Sequence, residues 1–194
     1  MSIPAVVVRA VEIWTVPGPG FGTIQVHTGI TMTISITNRP APAWLRELAH
    51  GRASYEELLG WPVSVQVGKR VLIVAIGQML DAVSMPAGLG ARVRAELDIA
   101  MLSAPVVAEP DGKRWTFLTK PLDRLRPNIA ADLSHLRVDV APHGAHIVIP
   151  TDPHTTSGQD WRWIEPPSPS RALPPAYAVI GVTRRLTQQQ NLAA

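Results

Sequence analysis

Apolar and polar residues alternate through residues 23–37. Ile24, Val26, Ile30, Met32, Ile34 and Ile36 share one parity, and Thr23, Gln25, His27, Thr31, Thr33, Ser35 and Thr37 share the other. Period two buries one face of a strand and wets the other. Pro17-Gly-Pro-Gly-Phe-Gly22 bends this segment back on Val6–Val16, so residues 1–38 are expected to form an N-terminal β-hairpin. The period changes after Asn38-Arg-Pro-Ala-Pro42. Trp44, Leu45, Leu48 and Ala49 fall on one helical side, and the pattern runs to Leu59. Gly51 is expected to split this helix in two, with Ser54-Tyr-Glu-Glu57 as a capping box and Gly60 as the stop.

Short hairpins dominate the chain beyond Gly60. Pro62–Val67 and Arg70–Ile76 flank Gly68-Lys69, and Gln78–Met85 is a further strand. Pro86 opens a helix in which Leu89, Val93, Leu97 and Met101 recur every four residues. Val106–Glu109 and Arg114–Thr119 enclose Pro110-Asp-Gly-Lys113, where Asp-Gly marks a tight turn. A short helix is expected within 122–135, and a hairpin around Pro142-His-Gly144. Pro174–Leu186 reads as a last helix and Thr187–Ala194 as a frayed tail. The expected class is α+β, with mixed or antiparallel sheets of short hairpins covered by helices. The expected division is a hairpin over 1–38, a domain over 39–186 and a tail over 187–194.

Composition narrows the chemistry. The 194 residues are 46% apolar and 17% charged, which is enough apolar surface for a core. Nineteen prolines fall mostly between the periodic segments and stiffen the turns. No cysteine is present, which excludes disulfides, thiolate catalysis and cysteine-based zinc sites. The N-terminal residues lack a basic segment followed by a long apolar one, and no apolar run could span a bilayer. A cytoplasmic protein with no membrane contact is expected. The net charge of +3 permits nucleic-acid contact without requiring it.

Chemistry-bearing side chains concentrate late in the chain. Asp139 sits among β-branched residues, and His143, His146, Asp152 and His154 come after it. Asp139 reads either as a metal ligand or as a strand-end carboxylate. The histidines read as phosphate or base contacts, as metal ligands, or as turn residues. Trp161 and Trp163 share parity with Arg162 opposite, so the indoles either stack bases or pack on a core. Lys69-Arg70 and Lys113-Arg114 sit beside hairpin turns, where cations reach a phosphate backbone.

From Gly60 to about Tyr177 the order of segments resembles the N-terminal domain of bifunctional DNA primase/polymerases. This is the prim-pol branch of the archaeo-eukaryotic primase superfamily. The resemblance is carried by Gly60-Trp-Pro-Val63, Ala75-Ile-Gly77, Lys113-Arg-Trp-Thr-Phe-Leu118 and Val138-Asp-Val140 through Gly144. Ile147-Val-Ile-Pro150, Ser157-Gly158, Trp161-Arg-Trp163 and Pro174-Pro-Ala-Tyr177 complete it. It implies metal-dependent nucleotide transfer, with an acid-x-acid pair on one strand, a histidine on an aromatic strand and a third acid later. Here Ser84 and Pro86 stand at the paired acids, the histidine position falls at or near Trp115, and Asp139 alone remains.

One carboxylate cannot organise two divalent cations. The expectation is therefore a catalytically degenerate relative that needs no cofactor and binds DNA or RNA. Asp139, His143, His146 and Arg162 would line the remnant groove, with Arg114 and Arg124 on phosphates. An alternative is an active nucleotidyltransferase using magnesium or manganese on Asp81, Asp139 and an unidentified third ligand. Another is an interaction module whose N-terminal hairpin docks on a protein partner or a second copy.

Overall fold

The structure is a computed structural model that describes residues 24–25, 31–32, 41–158 and 160–193. The chain divides into two units, Met1–Pro40 and Ala41–Ala194. In the first, β1 (Ile24–Gln25) pairs antiparallel with β2 (Thr31–Met32), placing Ile24 opposite Met32. The expected Val6–Val16 strand, the bend at 17–22 and the rest of the alternating run lie outside the described residues.

The second unit begins with α1 (Ala43–Leu59), β3 (Val63–Gln66), β4 (Val71–Ala75) and β5 (Asp81–Pro86). It continues with α2 (Ala87–Ile99), β6 (Val106–Ala108), β7 (Arg114–Thr119) and α3 (Pro127–His135). It ends with β8 (Asp139–Val140), β9 (His146–Ile149), β10 (Arg162–Glu165) and α4 (Ala176–Ala193). The class is α+β, as the hydrophobic pattern predicts. Both sheets of this unit are antiparallel, in the orders β10-β6-β7-β5-β8 and β3-β4-β9. Within the larger sheet, β5-α2-β6-β7-α3-β8 is a βαββαβ run with spatial order β8-β5-β7-β6. That is the split-βαβ connectivity of ferredoxin-like sheets. Strand β10 extends it beyond β6.

Strand alternation gives the larger sheet two apolar faces, and each has its own core. Val83, Met85 and Phe117 pack against Val93 and Leu97 of α2, Leu133 of α3, and Val179 and Ile180 of α4. Ala82, Val107, Leu118 and Trp163 point the other way, into a core with Tyr55 of α1 and Leu72, Val74 and Ile149 of the smaller sheet. Pro86 precedes α2 and Pro127 opens α3, where a missing N–H costs no helical bond.

Four features differ from expectation. Helix α1 is continuous through Gly51, and Ser54 Oγ donates to the His50 carbonyl at 3.1 Å instead of capping a second helix. Its buried residues are Leu48, Gly51 and Tyr55. A Cβ on Gly51 would overlap the Thr151 carbonyl oxygen, so this glycine permits close approach rather than breaking the helix. Met101 lies past the end of α2, with φ 57° and 90% exposed, so it does not continue the apolar stripe. Helix α4 runs on through 187–193, the segment expected to be a frayed tail.

The last difference positions the site. Strands β8 and β9 do not pair with each other. Strand β8 joins β5 and β9 joins β4, because β4 and β5 themselves part into two sheets at a turn closed by Gly77 N–H donating to Leu80 O. Ala141–Ala145 accompanies that parting on the neighbouring strand, bonded to Ala82 at one end and to Ile76 at the other. No helix among the described residues is long and apolar enough to cross a membrane.

Candidate functional site

Register places one row of side chains across all five strands of the larger sheet. Trp163 lies opposite Val107, Val107 opposite Thr116, Thr116 opposite Ser84, and Ser84 opposite Asp139. Directly opposed residues in an antiparallel pair share a face. The row starts in the core, with Trp163 fully buried, and ends in solvent, with the Asp139 side chain 70% exposed. Ser84 and Asp139, far apart in sequence, are therefore cross-strand neighbours.

Arg114 closes the open end of this row. Its Nη2 donates to Asp139 Oδ2 at 2.6 Å, its Nε to Ser84 Oγ at 3.3 Å and its Nη1 to the Arg137 carbonyl at 3.3 Å. Arg137 presents that carbonyl from a left-handed conformation with φ 55°. The guanidinium thus ties β7, β8 and β5 together. With one partner largely in water, such a pair contributes only about 0–1 kcal/mol. A phosphate can take the guanidinium at small cost.

The other candidate residues lie elsewhere. His143 packs over Gly77, where a Cβ would approach its ring to 2.8 Å, and its Nε2 lies 3.2 Å from the Leu122 carbonyl. It pins the crossover between the sheets, beyond the Asp81 end of β5. His146 is opposite Ala75, exposed, on the outer face of the smaller sheet. Its strand neighbours Ile147 and Ile149 face the opposite way, toward the core. Arg162 is opposite Ala108, so it points away from the Trp163–Asp139 row, and β10 lies four strand spacings from β8, about 19 Å. Arg124 is exposed between β7 and α3, and its carbonyl accepts from the Tyr177 hydroxyl at 3.2 Å. The groove expected from Asp139, His143, His146 and Arg162 together is therefore not assembled. Arg114 and Asp139 are the pair that meets.

The residues present do not fit a pair of divalent ions. Ser84, Pro86 and Thr116 stand beside the single carboxylate of Asp139, and a guanidinium already lies against it. Trp115, near the expected histidine position, points to the other face and packs on Gly90 of α2. Asp81 is buried on the helix side of β5, and its Oδ2 accepts from Leu122 N–H at 2.7 Å. It cannot join Asp139, because three residues along a strand reverse the face. Among the described residues no group of three or more histidines and acids is placed to hold a metal.

No protein-family model, no curated protein and no solved structure matches the chain.

The sequence motifs miss Tyr55, which anchors the buried end of the row. Its hydroxyl accepts from Trp163 Nε1 at 3.0 Å and donates to the Pro150 carbonyl at 2.9 Å. Its ring stacks on Trp61 at 6.1 Å between centroids. The available signal is its spacing: Leu48, Gly51 and Tyr55 recur at helical intervals on one side of α1. Burial pushes the Tyr55 phenol well above its ordinary value near 10. The unfolded chain then loses this proton at a lower pH than the folded one. The stability it protects is complete below pH 10 and falls as pH rises beyond it. Urea unfolding measured from pH 8 to 11 should show that decline, and Tyr55→Phe should flatten it while lowering stability at pH 8. A decline that Tyr55→Phe leaves unchanged would assign it to another group.

Proposed function

We propose that the domain binds nucleic acid on the open part of the larger sheet, as a primase-like domain without two-ion chemistry. The observation that carries this is the Arg114–Asp139 pair beside Ser84. The resemblance sets paired carboxylates at Ser84 and Pro86, and Ser84 is the residue in direct register with Asp139. A guanidinium there supplies the positive charge that a metal would otherwise bring. Such a face holds a phosphate and moves no phosphoryl group. A ferredoxin-like sheet with an exposed polar face is also a platform on which single strands lie in other proteins, an analogy of fold and not of descent.

The test is an anisotropy titration of labelled single-stranded and duplex DNA across a range of salt. Affinity is expected to fall linearly with salt on a logarithmic plot. Arg114→Ala should weaken single-strand binding and reduce the slope by about 0.7, the share of one phosphate contact. Asp139→Asn should strengthen binding about two- to fivefold, because it removes a like charge and frees Arg114. A metal ligand would behave in the opposite way. Salt-insensitive binding, or manganese-dependent nucleotide incorporation lost in Asp139→Asn, would overturn the proposal.

A further inference from the structure

We infer that a pocket beside Trp161 receives one nucleotide of a single strand, its base against the indole and its phosphate on Lys69 and Arg70. This rests on the proposed nucleic-acid binding and gives it a specific subsite. The pocket holds about 280 Å³ and forms where the β3–β4 turn, Pro110 and the segment before β10 meet. Small-ligand pockets run from roughly 300 to 1,000 Å³, so this one, just below that range, has room for one base with its phosphate at the Lys69–Arg70 rim and not for a base pair.

Its lining has the chemistry of a base and a phosphate. Val71, Ile149 and Pro150 are apolar walls, and Asp160 offers an acceptor for a base N–H. Trp163 is fully buried, with its N–H bonded to Tyr55. Trp161, two residues earlier and packed on the same core, keeps part of its surface open. Of the two indoles, Trp161 is the one with a surface left for stacking. The Arg70 guanidinium lies 4.9 Å over the Trp44 ring. A cation–π contact positions that charge without neutralising it, so it remains able to bind phosphate.

The far wall is held in place. Tyr55 donates to the Pro150 carbonyl, and the Thr151 carbonyl sits against the bare Cα of Gly51. The pocket therefore needs little ordering on binding, which favours affinity. Trp161 and Arg114 serve the same face of the sheet, and β10 and β7 are two strand spacings apart, about 10 Å. One single strand can run from the Arg114 end into the pocket.

The test compares two labelled strands of equal length on the full chain, an oligothymidylate and an abasic strand. The abasic strand keeps every phosphate and removes every base. The oligothymidylate is expected to bind about 5- to 100-fold more tightly. Trp161→Ala should remove that difference and leave abasic binding unchanged. Lys69→Gln with Arg70→Gln should weaken both strands and lower the salt slope by about 1.4. Equal affinity of the unmodified protein for the two strands overturns the pocket and leaves the wider proposal standing. So does a difference that survives Trp161→Ala. Absence of salt-dependent binding to either strand overturns both.

Discussion

Trp163→Ala is expected to lower the unfolding free energy by about 3–5 kcal/mol. The indole is fully buried on β10 and sits in the core that joins the two sheets to α1. Its removal leaves a cavity between elements that neither slide nor collapse easily, because Tyr55 is held on both sides. The Tyr55 ring stacks on Trp61 at an interplanar angle of 5°, and its hydroxyl is fixed to Pro150. The hydroxyl also loses its one donor, which leaves a buried acceptor unsatisfied. Trp163→Phe largely separates the two effects: it keeps most of the volume and removes the hydrogen bond, for about 1–2 kcal/mol. Urea denaturation measures both, with the midpoint falling and the slope unchanged. A domain of this size has about 5–15 kcal/mol in total, so the alanine variant should be measurably unfolded in mild denaturant. A loss below about 1 kcal/mol would mean that Trp163 does not sit in this core.

The second large effect comes from adding a single carbon. Gly51→Ala is expected to destabilise the domain by a net of about 2 kcal/mol. Alanine is the better helix former by about 1 kcal/mol, so propensity alone predicts the opposite sign. The new methyl would overlap the Thr151 carbonyl oxygen, and Leu72 Cδ1 lies 3.2 Å away. A main-chain carbonyl cannot rotate aside as a flexible side-chain tip does, so α1 or the 150–152 segment must move. Gly181 in α4 is the internal control, since nothing lies within 4 Å of its added Cβ. Gly181→Ala should therefore stabilise by about 0.5–1 kcal/mol. Opposite signs for the same substitution in two helices test the close approach directly. Two gains would refute it.

Gly51 also shows where local sequence patterns stop being informative. A glycine inside a helical pattern signals a break when only its neighbours are known. The residue that explains it, Thr151, is distant in the chain. Asp139 is the parallel case in the site. That Asp139 lies on a strand is legible, and so is the presence of Ser84 and Pro86 where the resemblance sets paired acids. That Arg114 is the side chain lying against it depends on β5 having β7 on one side and β8 on the other. His143 and His146 look like neighbours of Asp139 only if the turn between them closes a hairpin. The turn forms, with Ala145 N–H donating to the Pro142 carbonyl at 3.0 Å, but it carries the chain from one sheet to the other, and strand alternation then turns His146 outward. Trp161 and Trp163 are legible as a pair of equal parity, yet burial separates their roles.

By itself the sequence determined the local elements: the helices that begin after Pro86 and end before Gly60, and the hairpin turns at Gly68 and Gly112. Each is set by steric and hydrogen-bonding preferences among residues a few positions apart. Only the tertiary structure decided which strands pair, that β8 and β9 belong to different sheets, and that Arg114 meets Asp139 while Trp161 shares a pocket with Lys69 and Arg70. Those outcomes depend on which apolar faces can be buried together, a property of the whole chain that no short window of residues contains.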